Sequence, residues 1–194
     1  FGVTHSEDIF VTVGEIGAID YSTNGTNWVQ QLIGQTNMLS AVAYGSGQYV
    51  AVGTNGLILR STDGIGWINS RVGVVTLLPD IIYAGGQFLA VGRGGTIVAS
   101  TNGVNWVLRD SGVTNNLAGI AYGKDIFVAA GSVGAVLSSG DGVNWTNQNQ
   151  PASAMFTDVA YGNGFFVATA VGFGSGIYTS PDAVTWTRQN TTSS

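Results

Sequence analysis

The sequence predicts an all-β, five-bladed β-propeller with four antiparallel strands per blade, and three observations carry that prediction. First, one phrase recurs: Ser22-Thr23-Asn24-Gly25-Thr26-Asn27-Trp28 returns in altered form at 61–67, 100–106, 139–145 and 180–186. The tryptophans that close the five copies, Trp28, Trp67, Trp106, Trp145 and Trp186, are set at three equal steps and a slightly longer last one. Second, Tyr44, Tyr83, Tyr122 and Tyr161 keep the same step, each followed by a glycine-rich turn and an apolar run, with His5 in that slot of the first unit. Third, each period holds four short strand-like runs. A period near 40 with several short strands per unit is the mark of a propeller or a solenoid.

The second unit serves as the template. Leu39 to Tyr44 alternates, Gly45-Ser46-Gly47 turns, Gln48 to Val52 is apolar, and Gly53 to Gly56 breaks the run. Leu57 to Ser61 follows as a third strand, residues 62–64 turn, and Trp67 opens a fourth. Strands this short, joined by turns this tight, pair as antiparallel hairpins. The blades then run at about 1–37, 38–76, 77–115, 116–153 and 154–194, as one propeller domain. The first blade's inner strand is clipped, since the apolar residue matching Leu39, Leu78, Leu117 and Phe156 would fall before Phe1. The fifth carries a two-residue insertion within residues 171–175.

The repeated turn has its own chemistry. An Asp or Asn side chain at its third position accepts a hydrogen bond from backbone two residues on, and Gly at the fourth takes positive φ without a Cβ penalty. The tryptophan supplies roughly 150 to 250 Å² of buriable surface with which to pin a hairpin against its neighbour. The last copy has Pro181 and Ala183 in place of Thr and Gly, so its turn is expected to be the least regular.

These five turns resemble the Asp-box, or bacterial neuraminidase repeat, of sialidases and of many propellers without enzymatic activity. The family form is Ser-x-Asp-x-Gly-x-Thr-Trp, and the copies here are one residue shorter between the Asp or Asn and the Trp. The resemblance covers every unit and implies a blade architecture; in that family the box is a folding element remote from the chemistry. The repeat style also resembles the photosystem assembly propellers, which implies a scaffold or assembly role as one alternative.

Composition agrees and excludes several classes. Thirty glycines among 194 residues are roughly twice the usual share of about 7 %, as many tight turns require. No run reaches the roughly 18 apolar residues of a membrane span, so membrane insertion is not expected. No basic-then-apolar leader stands at Phe1, and the absence of an initial Met fits a processed or excised domain. Eleven acids against five arginines and Lys124 give a formal charge of −5, with none of the basic stripe that nucleic acid requires. There is no cysteine, hence no disulfide frame and no thiolate ligand. No cofactor or metal is expected. The low charge and the many Asn, Ser, Thr and Gly fit a secreted or cell-surface module.

Up-and-down strand order divides the loops between two sides. Turns between first and second strands, and the tryptophan turns, share one stereotyped side. Connections between second and third strands, and between blades, share the other, and these vary: Glu15-Ile16, Thr54-Asn55, Arg93-Gly94, Ser132-Val133 and the Phe173 insertion, with 31–37, 70–76, 109–115 and 148–153. Variable loops on a rigid scaffold are where binding sits. The candidate ligand-binding residues are Glu15, Asn55, Arg71, Asp80, Arg93, Arg109, Asp158 and Phe173. Arg71, Arg93 and Arg109 suit an anion or carboxylate, or else are scattered solubilising charges. Asp80 and Asp158 hold one place on the inner strands of blades three and five, where they suit a sugar hydroxyl or cation, or else are satisfied by neighbouring backbone. Phe173 suits a platform for a sugar ring, or filler between blades five and one.

Enzyme chemistry finds little support. The sialidase resemblance would call for an inner-strand arginine trio and a Tyr with a Glu partner, yet the glutamates are Glu7 and Glu15 only and no arginine motif matches. A glycosidase needs two carboxylates about 5 to 9.5 Å apart. Only Glu15, Asp80 and Asp158 are candidates. The expected function is therefore non-catalytic recognition of a glycan or protein through the varied side. The alternatives are a glycan-cleaving hydrolase and an assembly or scaffold factor, and an oligomer is expected if five blades leave the ring incomplete.

Overall fold

The computed structural model describes residues 2–6, 8–70, 72–148, 150 and 154–190. It is an all-β propeller chain of five four-stranded antiparallel blades, each with its strands in chain order. Blade one is β1 (Gly2–His5), β2 (Phe10–Val13), β3 (Ile19–Ser22) and β4 (Val29–Gln31). Blade two is β5 (Leu39–Gly45), β6 (Gln48–Gly53), β7 (Ile58–Ser61) and β8 (Ile68–Ser70). Blade three is β9 (Asp80–Ala84), β10 (Gln87–Val91), β11 (Ile97–Ser100) and β12 (Val107–Arg109). Blade four is β13 (Leu117–Gly123), β14 (Ile126–Gly131), β15 (Val136–Ser139) and β16 (Thr146–Asn147). Blade five is β17 (Met155–Gly162), β18 (Phe165–Val171), β19 (Gly176–Ser180) and β20 (Thr187–Gln189).

The chain packs as two compact units, Phe1–Ala90 with Val98–Leu108, and Val91–Ile97 with Arg109–Ser194. In the first, Val11, Ile19, Leu39 and Leu59 form one core, and Val50, Val52, Ile58, Leu78 and Phe88 form another. In the second, Val128, Val136, Phe156, Phe166 and Ala168 pack together. Middle strands bury both faces, so Tyr49 to Gly53 reads as a continuous buried run. A sheet covered on both sides selects apolar residues at every position. Blade one departs from this, with Thr12 and Asp20 where blade two has the buried Ala51 and Leu59, and Thr12 Oγ1 donates to Asp20 Oδ2 at 3.5 Å.

The tyrosine marker has a structural cause. Tyr44, Tyr122 and Tyr161 lie directly across from Tyr49, Phe127 and Phe166, with ring centroids 4.5, 4.5 and 4.8 Å apart. Tyr83 meets Phe88 at 4.7 Å, and His5 takes the slot against Phe10 at 5.6 Å. Such aromatic pairs add about 0.5 to 1.5 kcal/mol beyond their burial. One ring of each central pair is fully buried, as Phe88, Phe127 and Phe166 are.

The repeated turn forms as its sequence implies. Oδ1 of Asn24, Asp63, Asn102, Asp141 and Asp182 accepts the backbone N–H two and three residues on, at 2.7 to 3.0 Å. The serine at the head of each turn donates to the same oxygen. One expectation is corrected. The fifth turn is as regular as the others: Asp182 makes the full set of bonds and the fully buried Ala183 takes φ 64, so the difference is a Cβ held in the left-handed region. Trp67, Trp106 and Trp186 are partly buried and pack against the cores, while Trp28 is exposed at 42 %. Four indoles also bond their own turn, as Trp67 Nε1 does to Gly64 O at 3.1 Å, and each precedes the fourth strand by one residue.

Candidate functional site

The variable side is built from a two-part unit. After the second strand of a blade the chain makes a short 3-10 turn, Glu15–Gly17 in blade one and Thr54–Gly56 in blade two. The turn is closed by Ala18 N to Glu15 O at 2.9 Å, and by Leu57 N to Thr54 O at 3.1 Å. Its last residue is a glycine at φ 68 (Gly17) or 67 (Gly56). Glycine is required because the loop leaving the fourth strand crosses directly over it: a Cβ on Gly17 would meet Gln35 O at 2.5 Å. Gly56 and Gly95 carry the carbonyls of Val74 and Val113 in the same way. Turn and crossing loop leave a recess between them.

Two such recesses are formed in the first compact unit. One, of about 450 Å³, is lined by Glu15, Ile16, Gln30, Gln31, Leu32 and Gln35 among others. The second, of about 360 Å³, is lined by Gln35, Asn37, Asn55, Asn69, Val74 and Val75 among others. They are the same feature one repeat apart, since Ile16 and Asn55, and likewise Gln30 and Asn69, hold equivalent places in successive units. Gln35 lines both, and the two adjoining recesses together make up the groove. Its polar groups are side-chain amides, with Asn55 Nδ2 donating to Asn37 Oδ1 at 3.2 Å, and among the described residues Glu15 is its one charged lining residue.

Of the sequence candidates, Glu15 and Asn55 are brought into this groove, both exposed. Asp80, in the same compact unit, opens β9 and folds back so that Oδ1 accepts Ile81 N–H at 2.8 Å. In the second unit Asp158 does the same with Val159 N–H at 2.8 Å, just after a bulge between Phe156 and Asp158. In each aspartate one carboxylate oxygen is thereby held by its own strand. Arg93 is exposed on its 3-10 turn, where its carbonyl accepts Thr96 Oγ1 at 2.8 Å. Arg109 ends β12, half-buried, with Nε shielded from solvent and without a hydrogen-bond partner among the described residues. Phe173 stands at the tip of the turn Gly172–Gly174, fully exposed at 104 %. Arg71 and Glu7 lie outside the described residues.

No family model and no curated protein matches the sequence. Solved structures do. YCF48 bound to D1 peptide is similar at TM-score 0.71 and 16 % identity, over 94 % of this chain and 63 % of that one. YCF48 from Cyanidioschyzon merolae gives 0.71 and 16 %, over 97 % and 71 %. A chain of the nidogen/laminin complex gives 0.69 and 9 %, over 92 % and 74 %. These neighbours are β-propellers, which agrees with the blade topology, and the chain spans about 63 % of the length of the first.

Sequence reasoning named the loops but not the groove's main walls: Gln30, Gln35, Asn37, Asn69, Leu32 and Val75 were read only as loop or strand residues. The available signal was the echo of Gln30 in Asn69, one repeat on, beside the recurring turn glycine. The ionised groups whose titration is displaced lie on the opposite, stereotyped side. Backbone N–H donors from Gly66 and Ile65 hold Asp63 below the usual carboxylate range, and those from Thr185 and Val184 hold Asp182 at about 2. Among the described residues no three His, Asp or Glu side chains gather to hold a metal, and no helix is long and apolar enough to cross a membrane.

Proposed function

We propose that this chain is a non-catalytic recognition module that binds a protein or peptide partner through the loops of its variable side. The observation that carries the reading is the groove shared at Gln35, in which primary amides dominate the polar lining. Amides present donor and acceptor together, matching a peptide backbone. Among the described residues the groove holds no aromatic ring on which a sugar would stack and a single carboxylate, where glycoside hydrolysis uses two. The likeness to YCF48, solved with a D1 peptide, supports a peptide-binding use of the same fold. A glycan-binding reading is favoured by one observation, the free ring of Phe173 in the other compact unit.

Panning a random peptide library on the immobilised chain, beside a glycan array and a fluorogenic glycoside panel, tests this. The expected result is enriched peptides with saturable binding by calorimetry and no glycoside turnover. Glycan binding lost in Phe173→Ala, with no peptide enriched, would replace the reading with the second one; glycoside turnover would replace both with an enzyme.

A further inference from the structure

The groove's lining specifies more than a peptide in general. Three of its residues are aliphatic and turned to solvent: Ile16 is 74 % exposed, Leu32 92 % and Val75 85 %. Ile16 is in addition held at φ 54, ψ 34. A β-branched residue in the left-handed region is strained, and the equivalent positions in the next two blades carry Asn55 at φ 58 and Gly94 at φ 66, residues that tolerate it. Blade four, in the second compact unit, repeats the strained choice with Val133 at φ 57. An exposed isoleucine at a strained position gains nothing from packing within its own fold. Strain retained without internal compensation points to a contact made with something else.

Position along the groove adds the remaining chemistry. Ile16, Leu32, Glu15 and Gln30 line the recess of blade one, Val75, Asn37, Asn55 and Asn69 line that of blade two, and Gln35 lines both. An extended strand offers N–H and C=O groups along its length and throws alternate side chains to opposite faces. The amides match the first, the aliphatic residues the second. Glu15 complements a cation at the blade-one end.

We infer that the groove binds an extended peptide segment with aliphatic side chains at alternate positions and one Lys or Arg at the end that meets Glu15. This inference rests on the peptide-binding reading above and assigns it a place and a ligand chemistry.

Fluorescence anisotropy with the full chain tests it, using labelled, end-capped heptapeptides with Leu or Val at alternate positions and Ser or Thr between. Three versions carry one terminal Lys, one terminal Glu or neither, and a fourth is the Lys version N-methylated on alternate backbone nitrogens. The Lys version is expected to bind most tightly and the N-methylated one at least 10-fold more weakly. Glu15→Gln is expected to erase the advantage of Lys over the neutral peptide. Gln35→Ala is expected to weaken all versions 5-fold or more. Ile16→Asn is expected to weaken them while leaving the melting midpoint equal or higher, which separates lost contact from lost folding. Equal affinities across the peptides and variants would overturn the groove. If panned peptides bind but ignore all three substitutions, the groove assignment fails and the recognition reading stands; if no peptide of either source binds, both fail.

Discussion

Gly53→Ala isolates the steric demand that holds a blade together. Gly53 ends β6 at φ −170, ψ −150, extended backbone that alanine adopts freely, so φ strain plays no part. A Cβ there would run into the Met38 carbonyl oxygen and stand 3.0 Å from Leu39 Cα. Both atoms are backbone, so no side chain can swing aside. Met38 O also accepts Thr54 N–H at 3.0 Å, a bond that the displacement would break. Overpacking costs about 1 to 3 kcal/mol and a lost hydrogen bond about 1 more. A destabilisation of about 2 to 4 kcal/mol is expected from the two together. Gly140→Ala is the matched comparison, because that glycine also avoids the left-handed region and a Cβ on it meets nothing within 4 Å. It should stabilise by about 0.4 to 1 kcal/mol through the unfolded chain. Gly131→Ala, whose Cβ would strike Asn116 O, should repeat the Gly53 result in the second compact unit. Urea unfolding followed by tryptophan fluorescence measures all three. If Gly53→Ala and Gly140→Ala unfold at the same urea concentration, the close approach is not real and the reasoning falls.

Further outcomes follow from the same structure. Phe127→Ala removes a ring that is 1 % exposed and should cost about 3 to 5 kcal/mol, read as a lower urea midpoint. Ile16→Asn places a residue tolerant of positive φ at φ 54 and should raise stability by about 1 kcal/mol in calorimetry. Asp63 and Asp182 titrate below their ordinary value of 3.8 because turn N–H groups stabilise the charged form. Their contribution to stability is present above that value and is lost as pH falls, for Asp182 through about 2, so thermal midpoints should drop most between pH 4 and 2. Asp182→Asn should flatten that drop, since Asn24 and Asn102 make the same bonds without a charge.

Repetition made the blades legible. A tryptophan in every unit, a Ser-x-Asx-Gly turn before it and an aromatic slot after each inner strand are local signals, and each became a local structure. The turn was readable down to its hydrogen bonds because a side chain and backbone three residues apart settle it between them. The fifth turn was misjudged because a missing glycine is visible in sequence, whereas the neighbours that hold Ala183 at φ 64 are not. The packing of Trp67, Trp106 and Trp186 against the cores was legible from the repeat, whereas the exposure of Trp28 and the bonds of the indoles to their own turns were not.

The groove lay beyond that reach. Glu15 and Asn55 could be named because they sit in loops that differ between copies, yet Gln35 gained its role only when a loop crossed above Gly17 and set one amide between two recesses. Asp80 and Asp158 were readable as a shared inner-strand pair, but that each lends one oxygen to the next N–H of its own strand is visible only in the structure. Contacts within a few residues are written in the order of the chain. Contacts between a turn and a loop some 18 residues away, such as Asn55 with Asn37, exist only once the strands between them have paired and brought the two together.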